Sequence, residues 1–449
     1  MAHYRTMSIR IKKGHRLYNY LDDLSRKVNN LYNATNFYVR QVFSGIPKTP
    51  GERQPNEMHV IDTINSNLSG RFSPVDSSNP YVDYYMLDYV FKKTRNVDYY
   101  ALPAHTNQSI MSEVFQAWKA FFRSRKDYSK YPEKYKGKPG LPRYAKKGGS
   151  KTITFSNQTC VIKEGRYLKL PKTKQLLNIG KLGTLGRLKE VKAVPTGRHY
   201  TIQLVMQIPA TEKRELDRSN IIGIDLGVNN FAAIANNLGL RPLIINGKVI
   251  KSINQYYNKK RAHFYGILRQ GKSPGQGRYS SRRLEHLDSK RNDRIRDIMH
   301  KISRRIVDYC VENDIGTMII GKNKGFKENI KLRSNDKQAF ACIPYAFFIS
   351  CIKYKAEACG ITLIIKEESY TSKASFIDRD TLPVYGSMEK NDEFSGKRIS
   401  RGSYRSKNGT ILNADCNASG NIIRKAVPDA FVGRGDRGVV DTPYMLSIV

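Results

Sequence analysis

The stretch IIGIDLGVNNFAAIANN, Ile221–Asn237, decides how the second half of this chain folds. Ile221, Ile222 and Ile224 run into Asp225, with Gly223 and Gly227 beside them. A segment apolar on both faces reads as a strand buried within a sheet of α/β type. Its final carboxylate is flanked by glycines that permit close backbone approach. Asp after a strand is often only a turn or cap residue, so Asp225 needs companions before it signifies chemistry.

Downstream, the α/β pattern continues. Residues 255–312 predict long basic helices interrupted at GKSPGQGRYSS, Gly271–Ser281, the second carrying Ile295, Ile298, Met299, Ile302, Ile306 and Tyr309 on one face. TMIIG (317–321) and ITLII (361–365) read as strands, 344–358 as a helix between them, and a closing helix starts near Asp415. Upstream, residues 3–12 alternate weakly as one strand. Leu17, Leu21, Leu24, Val28 and Leu31 then mark a helix. The Tyr-rich residues 56–100 support no assignment. A second helix, with Thr106 or Asn107 as its cap, carries Ile110, Met111, Val114, Phe115, Trp118, Phe121 and Phe122 as a core stripe. KYPEKYKGKPGLPRYAKKGGSK, Lys130–Lys151, has the composition of a domain boundary or of an extended basic strap. From 151 to 209 the period becomes two, which predicts a small β-barrel or sheet.

Seventy-eight Lys and Arg face 39 Asp and Glu, a net charge of +39. A compact chain with that excess repels itself unless a polyanion neutralises it, and phosphate backbones do so with release of counterions. Twenty-eight Tyr supply rings on which unpaired bases can stack. On charge alone a ribosomal or chromatin-type binder is equally consistent. No run of about 20 apolar residues occurs, so a membrane partner is not expected, and the N-terminus lacks a secretory apolar core. Six cysteines without a CxxC pair fit buried thiols in a reduced, cytoplasmic setting.

Against this basic background three acidic positions stand out: Asp225, the pair Glu367–Glu368 after a strand, and Asp415 at a helix start. Hydrolysis of a phosphodiester by two divalent ions needs carboxylates converging from separate elements. Oxygen-only ligands favour magnesium or manganese. Alternation along a strand puts Glu367 and Glu368 on opposite faces, so that one of them is a ligand; which one is left open. Asn417 and Asn421, one turn apart, either orient Asp415, meet nucleic acid or pack the helix.

In order along the chain, GIDLGVNNFAA, IMHKISRRIVDYCVENDIGTMIIGKNKGFKENI (Ile298–Ile330), EESYTSKASFIDRD (Glu367–Asp380), FSGKRISRGSY (Phe394–Tyr404) and NADCNASGNIIRKA (Asn413–Ala426) resemble the TnpB family, transposon-encoded ancestors of type V CRISPR effectors. The resemblance spans residues 220–430 and implies a multidomain α+β and α/β protein. A RuvC-like, RNase H-like nuclease domain would occupy 216–370 and 411–432, with a nucleic-acid-binding insertion at 371–410. A β-barrel wedge domain would comprise 1–13 and 146–215, with a helical recognition insertion at 14–145 and a tail at 433–449.

The function implied is RNA-guided, metal-dependent DNA cleavage beside a short transposon-associated motif. The partners are a guide RNA and double-stranded target DNA, one protein per RNA, in association with the nucleoid. Asp225, Asp415 and Glu367 or Glu368 would hold Mg2+ or Mn2+. Thr371, Ser372, Lys373, Lys397, Arg398, Arg401, Arg405, Lys146 and Lys147 would contact nucleic acid. Two departures accompany the resemblance. Gly321 stands where most relatives carry a strand-ending glutamate, which implies relocation to Glu367 or Glu368, or else a nuclease-dead repressor. The zinc-ribbon cysteines are missing, so no zinc is expected. A compact type V CRISPR effector would use the same chemistry.

Overall fold

The computed structural model describes residues 3–209, 214–323, 338, 340–386, 393–434, 440 and 442–447. Lys324–Ile330 of the second motif, part of the 211–219 linker and much of the tail lie outside the described residues. The chain forms two compact units, Met1–Ala210 and Thr211–Val449.

In the first unit, β1 (His3–Lys12) precedes helices α1 (Tyr18–Gly45), α2 (Pro55–Ser66), α3 (Tyr84–Lys93), α4 (Val97–Tyr100) and α5 (Ala104–Lys130). Strands β2 (Ile153–Ser156), β3 (Val161–Lys163), β4 (Tyr167–Lys169), β5 (Leu176–Asn178), β6 (Arg187–Thr196) and β7 (His199–Ile208) follow. They make an open four-stranded sheet, β1-β7-β6-β2, and a separate three-stranded sheet, β3-β4-β5. The sequence pattern allowed a closed barrel; among the described residues β1 and β2 remain edges and no barrel closes. Leu21, Leu24, Val28 and Leu31 are buried along α1, as the spacing predicts. The cap of α5 differs: Pro103 precedes the helix, while Thr106 and Asn107 are buried within it. Their side chains instead donate to the carbonyls of Thr154 and Tyr99, at 3.1 and 3.2 Å. Pro103 is itself the extended residue before the helix, and its carbonyl accepts from the Thr106 and Asn107 amides at 2.9 and 3.1 Å, with no side-chain cap. The Tyr-rich stretch holds α2, α3 and α4, whose turns are too short to show a period in a mixed sequence.

In the second unit, β8 (Ile221–Leu226), β9 (Asn230–Asn236) and β10 (Leu243–Asn246) come first. Then follow α6 (Lys248–Arg269), α7 (Arg282–Glu312), β11 (Thr317–Gly321), α8 (Tyr345–Ala358) and β12 (Thr362–Lys366). Short strands β13 (Lys397–Arg398), β14 (Ser403–Arg405) and β15 (Ile411–Asn413) lead to α9 (Ala414–Ala426) and β16 (Tyr444–Leu446). The main sheet runs β12-β11-β8-β9-β10-β16, with β12, β11 and β8 parallel and β9 antiparallel between β8 and β10. Both faces are covered. Ile222 and Ile224 share a core with Ile295, Met299, Ile302 and Ile306 of α7 and with Phe348 and Ile352 of α8. Ile221 and Ile319 pack with Ile422 and Ile423 of α9 on the other side. Each buried aliphatic side chain contributes roughly 1.5–3 kcal/mol, so this double cover fixes which face each strand residue occupies. Asp225 and Gly321, two residues beyond Gly223 and Ile319, therefore belong to the α9 face. Gly223 allows the contact: a Cβ there would lie 2.3 Å from the Ser419 carbonyl oxygen of α9. Among the described residues no helix is long and apolar enough to cross a membrane.

Candidate nuclease centre and basic surfaces

Asp225 ends β8, and the neighbouring parallel strands deliver Gly321 and the Glu367–Glu368 turn to the same end of the sheet. Crevices beyond the C-terminal ends of such strands are where α/β sheets place ligands. Asp415 arrives from the first turn of α9, whose cap is Asn413: its side chain accepts from the Asp415 and Cys416 amides, both at 3.1 Å. Asp415 is thus spared capping duty. Its Oδ2 accepts from Asn230 Nδ2 at 2.7 Å, and its Oδ1 lies 3.2 Å from Arg398 Nη2.

Asp225 keeps some solvent access as a residue, but its carboxyl is hemmed by protein. Burial and then the charge of Asp415 push its pKa up to about 7, against the opposing pull of Arg398. Glu368 is likewise driven up to about 8, first by burial and then by Asp225. Its Oε2 is buried with no hydrogen-bond partner. Asp415 raises Asp225, and Asp225 in turn raises Glu368, which marks a cluster short of positive charge. The buried Tyr345 ring borders it; the hydroxyl donates to the Gly227 carbonyl at 2.7 Å and is held protonated by burial, Asp225 and Glu368.

The two glutamates diverge. Strand β12 ends at Lys366, so pleat alternation no longer governs them. Glu367 Oε2 lies 2.6 Å from Lys425 Nζ, a charge contact, and its Oε1 accepts from the Ser369 amide at 2.7 Å. Burial raises the Glu367 pKa, but the Lys425 and Ser369 bonds outweigh it and the net shift is downward. Glu368 instead lies over Gly321. A Cβ on Gly321 would stand 2.5 Å from Glu368 Oε2 and 3.1 Å from Glu368 Cβ. The carboxylate of one strand's extension thus fills the space that a side chain on the other would need.

Among the described residues no three His, Cys, Asp or Glu side chains are gathered closely enough to hold an ion as they stand. The donor chemistry nevertheless suits a hard cation: every candidate ligand is a carboxylate oxygen, and Oε2 of both Glu367 and Glu368 is buried without a hydrogen-bond partner.

Around the centre, Thr371 is buried and its hydroxyl donates to the Glu368 carbonyl at 2.9 Å, so it braces the turn. Ser372, Lys373, Lys397, Arg398, Arg401 and Arg405 are exposed. A cavity of about 450 Å3 is lined by Ser372, Lys373, Phe394, Lys397 and Arg398, among others. Asn417 and Asn421 are fully buried and pack the helix. Asn417 accepts from the Phe376 amide at 2.9 Å, and both donate to the Ala374 carbonyl. The insertion is stitched by Asp378, which accepts from Ser375 Oγ, Ser395 Oγ and the Lys407 amide at 2.5, 3.1 and 2.8 Å. Asp380 adds to this, accepting from the Ser375 and Ser395 amides at 2.7 and 3.1 Å; both aspartates lie within the quoted motif without being singled out by it.

In the first unit, Lys146 and Lys147 are exposed on the strap. Its backbone is zipped to α1: Asn29 donates to the Lys146 carbonyl, Asn33 exchanges two bonds with Ala145, and Asn36 and Arg40 donate to the Pro142 carbonyl. The three asparagines recur at helical spacing on one face, a signal that was present in the sequence but has meaning only beside the strap.

Residues 203–327 match the family model OrfB_IS605, a probable transposase, and residues 345–422 match the Cas12f1-like TNB domain. The chain is thus TnpB-like over the first stretch and Cas12f1-like over the second. No curated protein matches the sequence. Among solved structures the chain is similar to Cas12f1 in complex with single-guide RNA and target DNA, at 15% identity over 93% of this chain and 84% of that one, with a TM-score of 0.48. It is also similar to a CRISPR-Cas12f ternary complex (14% identity, 90% and 82% covered, TM-score 0.35). A third similarity is to the mini-RNA-guided endonuclease CRISPR-Cas_phi3 (9%, 97% and 94%, TM-score 0.35).

Proposed function

We propose that this TnpB-like chain is an RNA-guided, metal-dependent DNA endonuclease. The carrying observation is that Asp225 is crowded by Asp415 and Glu368 at one end of a sheet, in a chain of net charge +39. Retaining like charges together costs stability, and a divalent cation with a phosphodiester is the partner that removes the cost. Asp225, Asp415 and Glu368 are the proposed ligands; Glu367, held by Lys425, is not. When bound, Mg2+ or Mn2+ would activate water and neutralise charge on the leaving oxygen.

The chain's own groups do the rest. Arg398 exchanges Asp415 for the scissile-strand phosphate, and Lys373 and Lys397 at the cavity rim neutralise adjoining phosphates. Asn230 keeps Asp415 oriented after Arg398 leaves. Lys146 and Lys147, on a strap whose backbone needs hold it rigid, bind the backbone of guide RNA or heteroduplex, while base pairing chooses the sequence. Residues 1–13 with 146–215, 14–145, and 216–370 with 411–432 act in this reading as wedge, recognition and nuclease domains, and 371–410 as the nucleic-acid-binding insertion. The match of residues 345–422 to a Cas12f1-like domain favours a compact CRISPR effector as the second reading; the chemistry is shared, and the DNA flanking the gene separates them.

The test uses purified protein with its natural RNA, a matching plasmid and Mg2+. Asp225→Ala is expected to abolish cleavage and to spare RNA binding. Loss of neither, or wild-type cleavage by Glu368→Gln, would refute the assignment.

A further inference from the structure

Lys425 sits at the far end of the helix that begins with Asp415, and its side chain is only 5% exposed. A buried lysine is uncommon unless paired, and this one is fully engaged. Its ammonium lies 2.6 Å from Glu367 Oε2 and donates to the Ser369 carbonyl at 2.8 Å and the Pro383 carbonyl at 2.9 Å. Two carbonyls accept from the ammonium, and the Glu367 carboxylate pairs with its charge.

Two of those acceptors, Glu367 and Ser369, flank Glu368 in sequence. The remaining freedom of that turn is removed from other directions. The Glu368 amide donates to Asn323 Oδ1 at 3.0 Å, and its carbonyl accepts from the Thr371 hydroxyl at 2.9 Å. Asn421, one turn before Lys425 on the same helix, donates to the Thr371 carbonyl at 3.0 Å. Beyond the end of β12 there is no ladder to hold Glu368 in place, so these bonds substitute for one.

We propose that Lys425 is a positioning residue: by clamping Glu367 and Ser369 it fixes the backbone that aims Glu368 at Asp225. This rests on the reading of Glu368 as a cation ligand. One rigid helix then carries Asp415 at its start and sets the placement of Glu368 from its end. A glutamate mounted on a turn acquires the precision of one mounted on a strand. The adjacent Glu367 is the anchor of the clamp and does not bind the ion. The sequence Glu-Glu therefore divides into one structural and one functional carboxylate.

The experiment measures binding of Mn2+ alone to the full chain, by electron paramagnetic resonance of the free ion, beside the thermal melting curve. Simple electrostatics gives an opposite expectation: removing a positive charge near a carboxylate cluster strengthens cation binding. Positioning instead predicts that Lys425→Met weakens Mn2+ binding at least fivefold in protein that still melts cooperatively, and that Lys425→Arg recovers binding to within twofold of wild type. If Lys425→Met does not fold, Lys425→Gln, whose amide can still donate to the two carbonyls, is measured in its place with the same expectation. Unchanged or tighter binding by the folded variant overturns the proposal and leaves the nuclease reading standing. Failure of the wild-type chain to bind Mn2+ at all overturns both.

Discussion

Gly321→Ala separates what the fold tolerates from what the site tolerates. The new Cβ would lie 2.5 Å from both Glu368 Oε2 and Ile422 Cδ1, and 3.1 Å from Glu368 Cβ. The two closest atoms are ends of flexible side chains, so the fold can yield; overpacking of this kind costs about 1–2 kcal/mol. For a unit of this size that lowers the melting temperature by about 2–8 °C. The yielding group, however, is the Glu368 carboxylate, which must retreat by roughly an ångström where productive geometry tolerates about half of that. A displacement of that size costs about 100-fold in rate. Plasmid cleavage at saturating guide RNA and Mg2+ should therefore fall about 100-fold, while the melting curve moves only slightly. Combining Gly321→Ala with Glu368→Gln should cost no more cleavage than Glu368→Gln alone, because both act on one carboxylate. Cleavage within twofold of wild type by Gly321→Ala would show that the glycine is not needed by Glu368 and would refute the argument.

Two further outcomes follow from charge. Asp225 and Glu368, raised to about 7 and about 8 in the folded protein, bind protons there that the unfolded chain has released above the ordinary carboxylate range near 4. The folded state then holds more protons than the unfolded state between about pH 4 and 8, so stability without divalent ions should fall as pH rises through that window. Melting scans from pH 5 to 8.5 in EDTA should show the decline, and Mn2+ should flatten it; a rise in EDTA would contradict the raised values. Replacing Lys146 and Lys147 together by Ala should reduce the slope of log affinity for RNA against log salt by about 1.5, with cleavage at saturating RNA unchanged. An unaltered slope in filter binding would remove the strap from the interface.

Some of this was legible from residues alone. The Ile221–Leu226 strand, the α7 stripe and the α1 stripe obey simple periods because one burial pattern dominates each. Acids conspicuous in a basic chain pointed to positions 225, 367–368 and 415. The cap of α5 escapes a local reading because Thr106 and Asn107 are good capping residues, and only the packed fold decides that Thr106 is spent on β2 and Asn107 on α4. Arg398 read as a phosphate contact; its pairing with Asp415 depends on β13 lying beside the start of α9, which no local pattern encodes.

The sequence by itself determined the excess of positive charge and which carboxylates stand as candidate ligands, because charge excess and residue type are properties of composition and order. Tertiary structure set Glu367 and Glu368 apart. Adjacent residues differ by a fraction of a turn, and their local sequence is the same. What distinguishes them is that a distant lysine, Lys425, meets one and a distant glycine, Gly321, makes room for the other. Electrostatic pairing and excluded volume act through space, so their outcome exists only once the strands and the last helix are packed.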